Sequence, residues 1–309
     1  MIWSFSSYRQ FTKCQRQWFF KNILASSRAN DPLRKEAFYL SQLKSISAWR
    51  GAVVDKTISD SAVNRIRRKE SLTLDDLLSH ARHLCRRQFD FAKARKYRNG
   101  QAKGVSGDDF CALFAFEYGN PVSNEELKDA WAEIETSLSN FLNNARLISM
   151  LKSSKMLVTQ RALTFQVNGV TVRGVPDLIL FFESEPPHIF DWKVHAFGSK
   201  AYDIQLLVYA VALARSKPHK DFPAPFHAYP PEAIRISEYQ LLLNVVRDYS
   251  VTQERVMELE ELMAESILEM DLSGALDRGG NLKMGDFETT RFPENCQTCG
   301  FKRICWEEN

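Results

Sequence analysis

Asp177, Asp191 and Lys193 are the residues of this chain whose types and spacing best suit chemistry. Asp177 opens an apolar run, Asp177-Leu-Ile-Leu-Phe-Phe182, and the other two lie in His188-Ile-Phe-Asp-Trp-Lys-Val194. Residues two apart on a strand face the same side, so Asp191 and Lys193 project together. A short turn through Glu183-Ser-Glu-Pro-Pro187 folds the two runs into a hairpin and brings Asp177 beside them. Two carboxylates on neighbouring strands suit a hard divalent cation such as Mg²⁺. Such a cation polarises a phosphodiester and acidifies a bound water. An adjacent lysine orients or helps deprotonate that water and offsets developing negative charge. Downstream, Gln205 and Tyr209 stand at i and i+4 on one helix face. Their amide and phenol suit phosphate or base contacts rather than proton abstraction at neutral pH.

A second group is sulfur. Cys296, Cys299 and Cys305 form a C-x2-C-x5-C tail, and Cys14 lies almost the whole chain away. Four thiolates can hold zinc or an iron–sulfur cluster, and if Cys14 joins the tail, one centre ties the two ends together. Cys85 and Cys111 have no partner at ligand spacing and read as ordinary buried thiols. The start of the chain lacks a basic segment followed by an apolar stretch, and no apolar run approaches the roughly 20 residues of a bilayer span. The expectation is a cytoplasmic, reducing location with no membrane contact, where clustered cysteines bind metal rather than form disulfides.

The elements that must position these groups follow from periodicity. Helices are expected over 8–24, opened by Ser6 and Ser7, over 33–68 with an interruption near Gly51, and over 73–97. Residues 98–107, with three glycines, read as a loop, and 124–150 as one long helix. The pattern then alternates as a strand over 157–167, turns at Asn168-Gly169, and resumes over 170–173. Strands over 177–182 and 188–194 precede a helix over 202–216. One or two strands over 234–246 and an acidic helix over 252–270 complete the pattern. The division expected is a helical region over 1–150, a mixed α/β core over 151–250, and a helix with the cysteine tail over 251–309. Composition fits a globular chain with a substantial core: 44% hydrophobic, 26% charged, net charge +3. The charge is uneven, with 12 Lys/Arg against 4 Asp/Glu over 61–104 and 6 against 14 over 248–309. The basic stretch, which also carries Phe89, Phe91 and Tyr97, suits single-stranded nucleic acid or equally a solvated helix face.

Gly174-Val-Pro-Asp177, Asp191-Trp-Lys193 and Gln205-x3-Tyr209 resemble the motifs of the PD-(D/E)XK nuclease superfamily, and in particular its RecB-like branch. The four cysteines look like the iron–sulfur staple of AddB, exonuclease V and CRISPR-associated RecB-like exonucleases. The resemblance implies a restriction-endonuclease-like core, a small mixed sheet flanked by helices. It implies a DNA nuclease, favoured as an exonuclease, using Mg²⁺ or Mn²⁺ held by Asp177, Asp191 and the Trp192 backbone carbonyl. Lys193 would be the catalytic lysine, with Gln205 and Tyr209 supporting the site or contacting DNA. Cys14, Cys296, Cys299 and Cys305 would hold a structural 4Fe–4S cluster, with zinc as the competing occupant. Asp55, in Arg50-Gly51-Ala-Val-Val-Asp55, stands where the family often has a metal-binding histidine. That departure leaves a competing reading, a nuclease-fold DNA-binding or adaptor module with little turnover. No phosphate-binding Gly-x4-Gly-Lys-Ser/Thr loop is present, so unwinding would need a helicase or other nucleoprotein partner.

Overall fold

The computed structural model describes residues 2–99, 103–195, 201–224, 228–271 and 282–306. The chain forms two compact units, each assembled from separated stretches: 1–46, 87–121 and 263–309 in one, and 47–86 with 122–262 in the other. Among the described residues no helix is long and apolar enough to cross a membrane.

The first unit begins with the short strand β1 (Ile2–Trp3) and the helices Phe5–Lys13 and Gln15–Phe19. The single helix expected over 8–24 is broken at Cys14, which adopts an extended backbone (φ −166°, ψ 107°). Its sulfur accepts the Gln17 N–H and so caps the following helix. The opening cap is Ser4, whose hydroxyl accepts the Ser7 N–H, rather than Ser6 or Ser7. Aromatic stacking fills this unit: Phe19 on Phe287 at 4.5 Å and Phe20 on Phe301 at 5.4 Å between ring centroids. The glycine-bearing loop expected over 98–107 includes the short helix Lys103–Ser106, and its residues 100–102 lie outside the described residues, as do 272–281 of the C-terminal stretch.

The second unit holds a five-stranded sheet in the order β2 (Met156–Thr159), β5 (Leu178–Phe181), β6 (His188–Lys193), β7 (Arg235–Gln240), β8 (Val245–Tyr249). Only β6 and β7 are parallel. A parallel pair needs a crossover, and the helix Ala201–Arg215 lies in that connection. That helix is apolar on nearly all sides and buried from Leu206 to Leu213, as befits an element covered all round. β5 and most of β6 are buried, which explains their continuous apolar runs. Between β2 and β5, β3 (Leu163–Val167) and β4 (Val170–Gly174) form the expected hairpin. Asn168 and Gly169 both take positive φ (49° and 78°), the geometry of the tight turn that Asn-Gly favours. The helix expected over 124–150 is two, Asn124–Asn143 and Ala145–Ser153, because the Asn144 side chain caps the second.

The strand expected over 157–167 is also two. β2 ends at Thr159, and Gln160 turns the chain with φ 51° before β3 starts in a different pairing. Alternation of residue types continued across this point, so periodicity alone carried no sign of the break.

Candidate active site

The antiparallel register pairs Leu178 with Phe190, so Asp177, one residue before β5, meets the Asp191–Lys193 end of β6. The Trp192 N–H donates to Asp177 Oδ2 at 2.8 Å. Lys193 Nζ pairs with Asp191 Oδ2, and Asp191 lies near enough to Asp177 for the two carboxyls to repel. Asp55, on the helix Ile46–Thr57, reaches the same place: its Oδ1 accepts from Trp192 Nε1 at 3.1 Å. Arg50 of that helix pairs with Glu133 and donates to the Val194 carbonyl, bracing the end of β6.

Asp191 and Asp177 therefore lie beside one ammonium, and Asp55 lies beside the two carboxyls. Burial, then repulsion from Asp191 and Asp55, pushes the Asp177 carboxyl well above its ordinary range. Burial also raises Asp191 and lifts Asp55 to about 6. Burial alone would lower the Lys193 ammonium, but attraction by Asp191 and Asp177 outweighs it and the net shift is upward. Buried carboxyls that outnumber their one lysine are the type of donor a hard divalent cation suits, and such a cation would favour their ionised forms. Among the described residues no three acidic, imidazole or thiol groups stand at ready-made metal-binding spacing. Here Asp191 is turned to Lys193, while Asp55 and Asp177 share a different partner.

That partner is Gln160. Its Nε2 donates to Asp55 Oδ1 and to Asp177 Oδ1, both at 2.9 Å. Its backbone N–H bonds the Asp177 carbonyl at 3.3 Å. Residue type alone does not single out Gln160, which falls within a run that alternates like one strand. Two more neighbours belong to no motif in the sequence. The Tyr202 ring lies under Lys193 Nζ at 4.8 Å from its centroid. Glu238 on β7 is register partner to Asp191 and is buried, accepting from Gln240 Nε2 and the Tyr249 hydroxyl, each at 2.8 Å.

Gln205 donates to the Tyr209 hydroxyl across one helix turn, so the two form the pair their spacing suggested. Burial, then the charges of Asp191 and Asp177, keeps the Tyr209 phenol neutral by raising its pKa. Gly174, the glycine of Gly174-Val-Pro-Asp177, lets this ring approach: a Cβ there would lie 2.8 Å from Tyr209 Cδ1. The backbone oxygen of Trp192 forms part of β6, and it is the Trp192 N–H that engages Asp177.

The cysteines converge in the other unit. The Cys299 thiol is raised to about 11, chiefly by burial, with Cys14, Cys305 and Cys296 each adding repulsion. Arg16 Nη1 lies 3.9 Å from Cys305 Sγ. Cys14, Cys296, Cys299 and Cys305 thus lie in one unit near enough to repel as thiolates, though among the described residues they do not stand at ready-made metal-binding spacing. Cys111 is buried, with its thiol raised to about 12, and stands apart as an inert thiol.

A sequence model of the PD-(D/E)XK nuclease superfamily matches residues 2–306, nearly the whole chain. The chain belongs to that superfamily. Membership in this nuclease superfamily implies a nucleic-acid substrate. Among solved structures, a candidate exonuclease from Eubacterium rectale is 11% identical, with a TM-score of 0.35 over 92% of this chain and 94% of that one. The crystal structure of SSO0001 is 14% identical, with a TM-score of 0.29 over 60% of this chain and 79% of that one. Likenesses of this size add nothing to the assignment, which rests on the sequence model. No match is found among curated proteins. The mixed α/β fold of this PD-(D/E)XK chain agrees with its superfamily, and Asp177, Asp191 and Lys193 occupy one site within it.

Proposed function

We propose that this PD-(D/E)XK protein is a divalent-metal-dependent deoxyribonuclease, acting as an exonuclease on DNA with single-stranded character. The observation that carries the reading is the convergence of Asp177, Asp191 and Lys193 at the end of β6, with Asp55 beside the two carboxyls. Asp177 and Asp191, with the Trp192 carbonyl, would hold Mg²⁺ or Mn²⁺, and Asp55 is the further candidate ligand. When bound, the ion would supply Lewis acidity toward a phosphodiester and its attacking water. Lys193, kept cationic by Asp191 and Asp177, would donate to a phosphate oxygen and offset charge as it develops. Gln205 and the neutral Tyr209 would orient the same phosphate. Cys14, Cys296, Cys299 and Cys305 would hold a 4Fe–4S cluster in a structural role, with zinc as the alternative occupant.

The test is a cleavage assay on end-blocked, circular, single-stranded and double-stranded DNA with the metal varied. Free ends should be required, and Asp191→Ala and Lys193→Ala should be inactive. Activity surviving both substitutions would remove this site from consideration. A second reading, a nucleic-acid-binding or adaptor module within a larger helicase or nucleoprotein assembly, is favoured by Asp55 in place of the family histidine. Binding without turnover under every divalent ion would select it.

A further inference from the structure

β2 has the acidic site at its C-terminal end and a basic groove at its start. The groove has a volume of about 490 Å³. Arg67, Lys69, Lys152 and Lys155, all exposed, line it above a floor that includes Leu151 and Met156. Its one acidic lining residue, Asp221, is paired with Arg161. Lys155 is partly neutralised by Glu183 at 2.8 Å, and Arg67 donates to the Leu157 carbonyl. Lys69 and Lys152 make no ion pair among the described residues, so the groove keeps a net positive charge. Lys69 is also held at the rim by its backbone. It has φ 56°, with its N–H bonded to the Ile66 carbonyl and the next N–H to the Arg65 carbonyl. Glycine is the usual occupant of such a helix-ending position, so a lysine there carries some conformational cost.

We propose that this groove is a second contact for the nucleic-acid substrate, holding the phosphates of a single strand a few nucleotides from the scissile position. The proposal rests on the nuclease reading above and extends it. Lysines at the rim supply phosphate contacts, and the apolar floor accepts the less polar faces of sugar or base. The spacing is set by one rigid element. Met156 to Thr159 spans about 10 Å at strand rise, close to three stacked nucleotides at about 3.4 Å each. The competing role for these lysines is local. Lys152 lies in the last turn of its helix and Lys69 just beyond another, where a cation offsets the helix dipole.

The experiment compares wild type with Lys69→Glu/Lys152→Glu and the milder Lys69→Gln/Lys152→Gln. Anisotropy of a labelled single strand of about 20 nucleotides, without divalent ions, gives affinity and its salt dependence. Losing two phosphate contacts should lower the log–log salt slope by about 1.4. Affinity should fall about tenfold for the charge reversal and less for the glutamine pair. Cleavage of a dinucleotide, too short to reach the groove, and the melting temperature should stay at wild-type values. Unchanged affinity and slope in a protein that still cleaves DNA would overturn the groove alone. So would a fall in melting temperature with equal losses on long and short substrates, which is the mark of a helix-end role. Wild type that neither binds nor cuts any nucleic acid would overturn the nuclease reading itself.

Discussion

At the residue scale the site is a contest between burial and charge. Asp177, Asp55 and Asp191 are each pushed toward neutrality by burial; Lys193 opposes this at Asp177 and Asp191, and hydrogen bonds from Trp192 and Gln160 oppose it at Asp55. Asp191→Asn should therefore leave the fold intact and reduce cleavage by about 100-fold or more, the usual scale for removing a preorganised charge. Circular dichroism with a cleavage assay checks both halves. Gln160 is the residue that holds Asp55 to Asp177 while its own backbone is left-handed. Gln160→Gly relieves that backbone, an effect of about 1 kcal/mol, and deletes the amide bridge. Its melting temperature should hold or rise while Mn²⁺ affinity, measured by calorimetry, falls several-fold. A melting temperature that drops together with activity would make Gln160 merely structural. The acidic and lysine positions were legible in the sequence because strand spacing alone puts Asp191 and Lys193 on one side. Gln160 was not, since nothing in residue type marks the end of β2.

At the element scale, the helix Ala201–Arg215 and the hairpin β3–β4 meet through Gly174 and the Tyr209 ring. Gly174→Ala would place a methyl into that ring. The expected cost is about 1–3 kcal/mol of stability, read by denaturant unfolding, with Tyr209 displaced from Gln205. Combining it with Tyr209→Leu should recover part of the loss. The first unit has its own test in Glu117, whose side chain is fully buried. Burial opposes its charge, yet hydrogen bonds from Arg98, Tyr97 and Arg303 outweigh burial and pull the carboxyl down to about 2, from an ordinary 4.5. A depressed carboxylate stabilises the fold above its unfolded value and loses that contribution as pH falls through the folded one. The melting-temperature gap between wild type and Glu117→Gln should persist at neutral pH and close between about 4.5 and about 2. Arg303, between Cys299 and Cys305, is part of this network, and so is Glu36, which accepts two hydrogen bonds from Arg98.

At the scale of the whole molecule, the cysteines of the first unit come from both ends of the chain. Under the proposed cluster, Cys299→Ser should remove bound iron, the visible absorbance of a brown preparation and several degrees of melting temperature. A protein that stays colourless, and carries zinc lost in the same variant, would exchange the cluster for zinc. The superfamily, the mixed α/β class and the Asn168-Gly169 turn are legible in the chain's own residues, as is the placing of Asp191 with Lys193 and of Gln205 with Tyr209 on shared faces. The turn and the shared faces follow from local spacing, which strand and helix geometry convert directly into position. Only the tertiary structure decided that Asp55 reaches the same carboxylates, that Gln160 bridges them, that Glu238 lies beside Asp191, and that 87–121 joins both termini in one unit. Each of these depends on contacts between residues far apart in the chain, and packing rather than local pattern selects them.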